Sequence, residues 1–326
     1  MTDMHTKLRW IDPFDGSEMQ KQGSRFVSKT NNYRIIRGIS RFVDKENYND
    51  SFGFQWNQYK ETQLDSYIGF PLTKNRLERC VGEKLFERIS NKLVLEAGCG
   101  AGRFTEILLE REAFVVSMDM SSAVEANKDN FPPNDHHIIV QADILKMPFA
   151  DQQFDIIICL GVIQHTPCPE DTIRALYRKV RPGGWLVLDH YIYSVSYFTQ
   201  IPKILLRLFL RIIEPLRAFR IINLVVKIFL PLHRLGRTSR LWQAIMRRTT
   251  PVVSYYYDFP NLPDSIQREW AQLDTFDNLT DYYKHFRSIK QIKNCMRELG
   301  MDHIKCWKGG NGIEARGRRP DADIWS

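Results

Sequence analysis

Between about residues 92 and 191 the chain alternates short apolar runs with amphipathic stretches, and this pattern leaves few folds open. Five runs rich in Val, Ile and Leu (92–97, 114–118, 137–141, 154–160 and 185–189) carry no polar alternation, as strands buried on both faces should. Helical stretches separate them, so the expectation is a parallel sheet built from βαβ units. Ser122 followed by Glu125 reads as a capping box opening one helix, and Pro169 with Glu170 and Asp171 suits the first turn of another. Arg181, Pro182, Gly183 and Gly184 stop that helix and turn the chain into the fifth strand. Further on, Ser288 with Gln291 forms a second capping box and Gly300 a C-cap. The runs 302–307 and 313–316, parted by Gly309, Gly310, Asn311 and Gly312, read as a closing β-hairpin.

The most informative local motif lies at the end of the first run: Leu95-Glu96-Ala97-Gly98-Cys99-Gly100-Ala101-Gly102. Glycines at alternate positions let backbone approach a bulky ligand, and the helix that follows presents unpaired N–H groups. A dinucleotide-type loop is the competing reading, but the third glycine comes one residue early. Asp119 ends the second run, where its carboxylate can accept ribose hydroxyls. Asp143, followed by Ile144, ends the third, placed to meet an adenine amino group and ring face.

With these residues in place, the sequence resembles the class I S-adenosylmethionine-dependent methyltransferases, strongly over about 92–191 and moderately in the final hairpin. The resemblance implies a Rossmann-like α/β fold: a seven-stranded sheet with an antiparallel last strand and helices on both faces. It implies S-adenosylmethionine as cofactor, with Glu96, Gly98, Gly100 and Gly102 under the methionine moiety. Asp119 with Met120 would hold the ribose, Asp143 with Ile144 the adenine, and Leu160 would border the methyl donor. Ser51-Phe52-Gly53-Phe54-Gln55-Trp56 looks like an N-terminal lid, with Leu273-Asp274-Thr275-Phe276-Asp277 and Gly310-Asn311-Gly312 as C-terminal counterparts, in a less characterised subgroup. Many of that subgroup's members begin with a zinc ribbon. Here the first forty residues contain no cysteine, so the leader is expected to be metal-free and no metal site is carried over.

Methyl transfer to a hydroxyl benefits from a general base. His165, just past the fourth strand, is the first choice, with His190 and Tyr191 past the fifth as alternatives. Amine methylation of nucleobases is disfavoured, because the Asp/Asn-Pro-Pro-aromatic run such enzymes place after the fourth strand is here Leu160-Gly161-Val162-Ile163.

The chain's net charge of +8 is concentrated in one segment. Residues 195–250 carry eleven Lys/Arg and a single acid, Glu214, so the remainder is slightly acidic and offers no general nucleic-acid surface. Lys203, Arg207, Arg211, Glu214, Arg217 and Arg220 recur at helical spacing, the other faces are aliphatic, and Pro215 divides the helix. This insert is expected to meet another part of the protein, a homodimer partner or a membrane interface. The segments read in order are a leader (1–45), an aromatic-rich lid and helix (46–91), the core (92–194), the insert (195–250) and the C-terminal part of the core (251–326). The six cysteines never stand as Cys-x-x-Cys, and no signal peptide is visible. A cytoplasmic protein, peripheral on the inner membrane face, is therefore expected. Its acceptor would be a small molecule, hydrophobic or lipid-linked, methylated at a hydroxyl. An RNA methyltransferase and a non-catalytic nucleotide-binding scaffold are the alternatives.

Overall fold

The computed structural model describes residues 4–43 and 50–321. Tyr48, which opens the aromatic-rich stretch, lies outside the described residues, as do the side chains of Ser51 and Phe52. The chain forms two compact units, one of residues 1–47, 71–193 and 283–326, the other of 48–70 and 194–282.

The first unit is organised by one sheet. Five leader strands, β1 (Trp10–Ile11), β2 (Glu18–Gln22), β3 (Arg25–Val27), β4 (Asn32–Ile36) and β5 (Ile39–Arg41), run as an antiparallel meander. The core strands follow: β6 (Leu93–Ala97), β7 (Phe114–Asp119), β8 (His137–Gln141), β9 (Phe154–Cys159), β10 (Val180–His190), β11 (Asp302–Gly309) and β12 (Gly312–Arg318). Their order is β8-β7-β6-β9-β10-β12-β11, with β6 to β10 parallel and β12 antiparallel to both its neighbours. This is the seven-stranded arrangement expected, with one addition. β5 pairs in parallel with β8, so the leader extends the sheet to twelve strands among the described residues.

The core strands hold because both faces are covered. Leu95, Val116, Ile157 and Leu188 pack on one side, and Val94, Val115, Ile156 and Val187 on the other, all buried. Trp10, Phe26, Phe42 and Phe149 form an aromatic cluster that fastens the leader, with Trp10 and Phe26 centroids 4.3 Å apart. Within the leader, Asp12 is a hydrogen-bonding hub. Its carboxylate accepts from Ser28 Oγ (2.5 Å), Asn31 Nδ2 (2.9 Å), Tyr33 Oη (2.9 Å) and the Phe14 N–H (2.8 Å), tying two turns together. Burial acts to raise its pKa, but the donors from Ser28, Phe14, Asn31 and Tyr33 outweigh it and hold the group at about 2.

The capping box at Ser288 and Gln291 forms in full, and Gly300 follows that helix in a left-handed conformation. The one expected at Ser122 does not form: Ser122 makes no side-chain cap. Glu125 instead pairs with Arg41 of β5 and with Arg37 (3.4 Å), so the added strand takes the carboxylate the cap would have used.

The second unit is helical, with helices Asp50–Gln58, Ile201–Leu210, Pro215–Leu235, Arg240–Thr249 and Asp264–Thr280. Pro215 stands at the start of its helix and divides the insert as expected. Two segments fall elsewhere than the sequence suggested. Residues 46–91 do not act as one piece, since 48–70 belong to this unit and 71–91 to the other. Helix Asp264–Thr280, expected in the core, packs among insert helices through Leu210, Ile222, Val226, Phe276 and Leu279. The lid motif and its C-terminal counterpart do meet here, with Gln55 Nε2 donating to the Leu273 carbonyl (3.2 Å). Helix Ile201–Leu210 is turned with its charged stripe inward. Arg207 donates to the carboxylate (2.9 Å) and carbonyl (2.8 Å) of buried Asp281, and Lys203 is buried.

Candidate functional site: a nucleoside-binding loop and its neighbours

The glycine loop leaves β6 and enters helix Arg103–Glu110, with Gly98, Gly100 and Gly102 all at positive φ (80°, 51° and 98°). Side chains are excluded as well as strained there. A Cβ on Gly98 would lie 2.2 Å from Val162 Cγ2, and one on Gly102 would lie 2.8 Å from Phe131. The first contact matters for function, because it seats the loop after β9 directly on the glycine turn. The Gly98 and Cys99 N–H groups both donate to the Met118 carbonyl (2.7 and 3.0 Å), locking the loop to the end of β7.

Asp119, at that end, is held by three donors: Gly100 N (3.0 Å) on Oδ2, and Ser121 N and Oγ (2.8 and 2.7 Å) on Oδ1. Burial raises its pKa, and the Ser121 and Gly100 donors work against that rise. A carboxylate offers about four acceptor positions. With the Met120 N–H also directed at it, a ribose hydroxyl would share this carboxylate with the backbone of the loop. Met120, next in the chain, is half-buried, and its carbonyl accepts from Gln141 Nε2 (3.1 Å). Asp143 accepts from the Leu145 N–H on Oδ1 (2.9 Å), leaving Oδ2 as an acceptor beside buried Ile144. Leu160 is buried at the end of β9.

Glu96 is buried beneath the loop in a polar network that the sequence did not reveal. Thr105 Oγ1 donates to its Oε2, Ser117 Oγ lies 2.9 Å from Thr105 and 3.4 Å from Glu96, and Asn127 and His137 complete the set. Glu96 Oε1 has no hydrogen-bond partner among the described residues. Desolvation pushes the Glu96 pKa up to about 8, although Thr105 and Ser117 donate to it.

Past β9 and β10 the structure brings the three expected catalytic positions together. His165 and Tyr191 meet edge to face, with ring centroids 5.4 Å apart. His165 Nδ1 lies 3.1 Å from the Tyr283 carbonyl; a carbonyl only accepts, so Nδ1 carries the proton and Nε2 the lone pair. His190 Nδ1 lies 2.8 Å from the Tyr191 carbonyl, and burial lowers its pKa to about 4, so it is neutral at pH 7 and a weak base. Two ion pairs shape this end of the sheet and left no trace in the sequence pattern. Arg76 donates to Asp189 Oδ2, whose Oδ1 takes the Gly161 N–H (2.6 Å), and Arg79 grips Glu314 with two nitrogens (2.9 and 2.7 Å).

Residues 95–188 match a family model described as a methyltransferase domain, and this segment contains the loop, Asp119, Asp143 and the β9 turn just described. Over these residues the chain is similar to that methyltransferase domain, and its strand order is the one the sequence resemblance implies. The residues present fit S-adenosylmethionine, the cofactor that the sequence resemblance implies. Bare backbone at three glycines, the Asp119 carboxylate and an acceptor oxygen on Asp143 suit a cationic nucleoside. Among curated proteins, the ubiquinone biosynthesis O-methyltransferase of Pseudomonas entomophila is 36% identical over 106 residues, 30% of this chain and 44% of that one. Its counterpart in Pseudomonas fluorescens is 33% identical over 120 residues, 35% of this chain and 48% of that one. The chain thus spans about half the length of the curated relatives it matches. Among solved structures, magnesium protoporphyrin IX methyltransferase from Synechocystis PCC 6803 aligns at 13% identity and a TM-score of 0.43, covering 84% of this chain and 97% of that one.

Proposed function

We propose that this methyltransferase domain transfers its methyl group to a hydroxyl of a small, hydrophobic or lipid-linked metabolite. The observation that carries this reading is His165: a histidine just past β9 whose ring is oriented by the Tyr283 carbonyl at Nδ1 and by the edge of Tyr191. It stands three residues beyond Val162, which packs on the donor loop. Supporting it, the matched relatives are named for O-methylation in ubiquinone biosynthesis.

S-adenosylmethionine, when bound, supplies an electrophilic methyl group and needs no activation by the protein. What the chain must do is orient and deprotonate. Asp119 and Asp143 would hold the nucleoside at two points, and the glycine loop would lie along the rest of the donor. His165 Nε2 takes the acceptor's hydroxyl proton as the oxygen attacks, and the Tyr283 carbonyl stabilises the imidazolium through Nδ1–H. Tyr191 packs against the ring and holds its plane.

The test is methyl transfer from radiolabelled donor to a panel of hydrophobic phenols and alcohols, run with wild type and His165→Gln. The expected result is labelled ether from the wild type and a loss of about 10²- to 10⁴-fold in kcat for the variant, with donor affinity kept. Full kcat in His165→Gln would remove the base from the mechanism. Labelling of RNA in place of the phenols would overturn the acceptor class.

A further inference from the structure

The last strand of the leader sets Arg41 of β5 opposite Gln141 of β8, and Gln141 in turn lies opposite Asp119 of β7. The three residues form one row across three adjacent parallel strands. Backbone bonds fix that row: the Phe42 N–H donates to the Gln141 carbonyl (2.8 Å), and the Ala142 N–H donates to the Asp119 carbonyl (3.0 Å). Residues in register on neighbouring strands send their side chains to the same face of the sheet, so the Arg41 and Gln141 side chains meet.

Their contact has a polarity. Arg41 Nη1 donates to Gln141 Oε1 (2.7 Å), and Gln141 Nε2 donates to the Met120 carbonyl (3.1 Å). A guanidinium carries donors only, so it takes the oxygen end of the amide and leaves the NH₂ end for the carbonyl. Turned the other way, the amide would set oxygen against the Met120 carbonyl and NH₂ against the guanidinium, two repulsive contacts. Gln141 is buried and the Arg41 side chain is 16% exposed, so water does not readily replace either partner. Arg41 is itself held by Glu125 on helix Ala123–Asn130, which begins directly after the Asp119-Met120-Ser121 turn. The amide that Arg41 orients therefore clamps the turn that the sequence resemblance places against the donor's ribose.

We infer that Arg41 is a positioning residue for the donor: the leader carries it into the sheet, and through Gln141 it fixes the Met120 carbonyl and the ribose-facing turn. This rests on the placement of S-adenosylmethionine along the glycine loop and Asp119. The leader thereby takes part in donor binding, although none of the donor-contacting motifs lies within it. A role in stability alone would run through the Glu125 ion pair, whereas a role in donor binding runs through Gln141, and substitutions separate the two.

The experiment is calorimetric titration of the full chain with S-adenosylmethionine and with methylthioadenosine, which lacks the amino-acid end. Amide hydrogen exchange of residues 119–123 without ligand is the second readout. The variants are Arg41→Met, Gln141→Met, the two combined, and Glu125→Gln. Arg41→Met should bind both ligands about 5- to 20-fold more weakly, by the same factor for each, because the loss falls on the adenosine half. Its residues 119–123 should exchange about ten-fold faster. The double variant should bind no more weakly than Gln141→Met, since both substitutions break one chain of hydrogen bonds. Glu125→Gln should melt at a lower temperature but keep donor affinity within about two-fold. Arg41→Met that binds or exchanges like wild type would overturn the inference and leave the donor placement standing. Losses that add in the double variant, or Glu125→Gln losing as much affinity as Arg41→Met, would do the same. A wild type that gives no heat would remove the donor placement, and the inference with it.

Discussion

Glu96→Gln offers the sharpest physical test of the site beneath the donor loop, because it keeps shape and removes only the ability to ionise. Burial holds the Glu96 pKa at about 8 in the folded chain, against 4.5 for an ordinary glutamate. The sign follows from proton binding. A raised carboxyl pKa means that the folded state keeps a proton the unfolded state releases, so stability falls as pH rises from about 4.5 to about 8 and then levels off. Each pH unit in that window is worth about 1.4 kcal/mol. Integrated between pH 5 and pH 7, folding should lose about 2 to 3 kcal/mol to this one group, and Glu96→Gln should not lose it. Other titrations are common to both proteins and cancel in the difference. The assay is urea denaturation of wild type and Glu96→Gln at pH 5 and pH 7 without donor. Glu96→Gln should gain on wild type by about 2 to 3 kcal/mol between the two pH values. A difference between the proteins that stays constant with pH would refute the claim that Glu96 is held protonated.

Gly98→Ala forces a Cβ into Val162 in a left-handed backbone, so it should cost about 2 to 4 kcal/mol of stability and abolish measurable donor binding. Adding Val162→Ala should restore part of both, since one of the two obstacles is steric; thermal melts and calorimetry of the double variant check this. Asp12→Ala leaves Ser28, Asn31 and Tyr33 without their shared acceptor, and a loss of about 2 to 4 kcal/mol is expected by chemical denaturation at pH 7. With a folded pKa lowered to about 2, the Asp12 contribution is present above about pH 4 and disappears as pH falls through 2, so variant and wild type should converge in acid.

The donor side was readable from sequence because its signals are local. Apolar runs buried on both faces read directly as strands, with one of them matching at both ends and three displaced by a residue at one end. The fifth strand begins early, at Val180, because the Arg181–Gly184 turn is a register shift within it rather than a break before it. Glycines at Gly98, Gly100 and Gly102 are legible because only glycine accepts that backbone. What stayed hidden depends on pairs remote in sequence. Arg76 and Asp189 are 113 residues apart and Arg79 and Glu314 are 235 apart, so no periodicity links them. Ser121 was missed although it is close by, because a serine after an aspartate has the spacing of any Asx turn. The direction of the insert's charged stripe was equally invisible: helical spacing locates Lys203 and Arg207 on one face, but only Asp281, far along the chain, determines that this face is the buried one.

The most direct test of the methyltransferase assignment is calorimetric titration of S-adenosylmethionine into wild type and Asp119→Ala. Wild type should bind one equivalent of donor. Asp119→Ala should bind about 10- to 150-fold more weakly, the loss of a charge-assisted hydrogen bond to the ribose. No heat from the wild type, or equal affinity in both proteins, would contradict the placement of the donor on this loop.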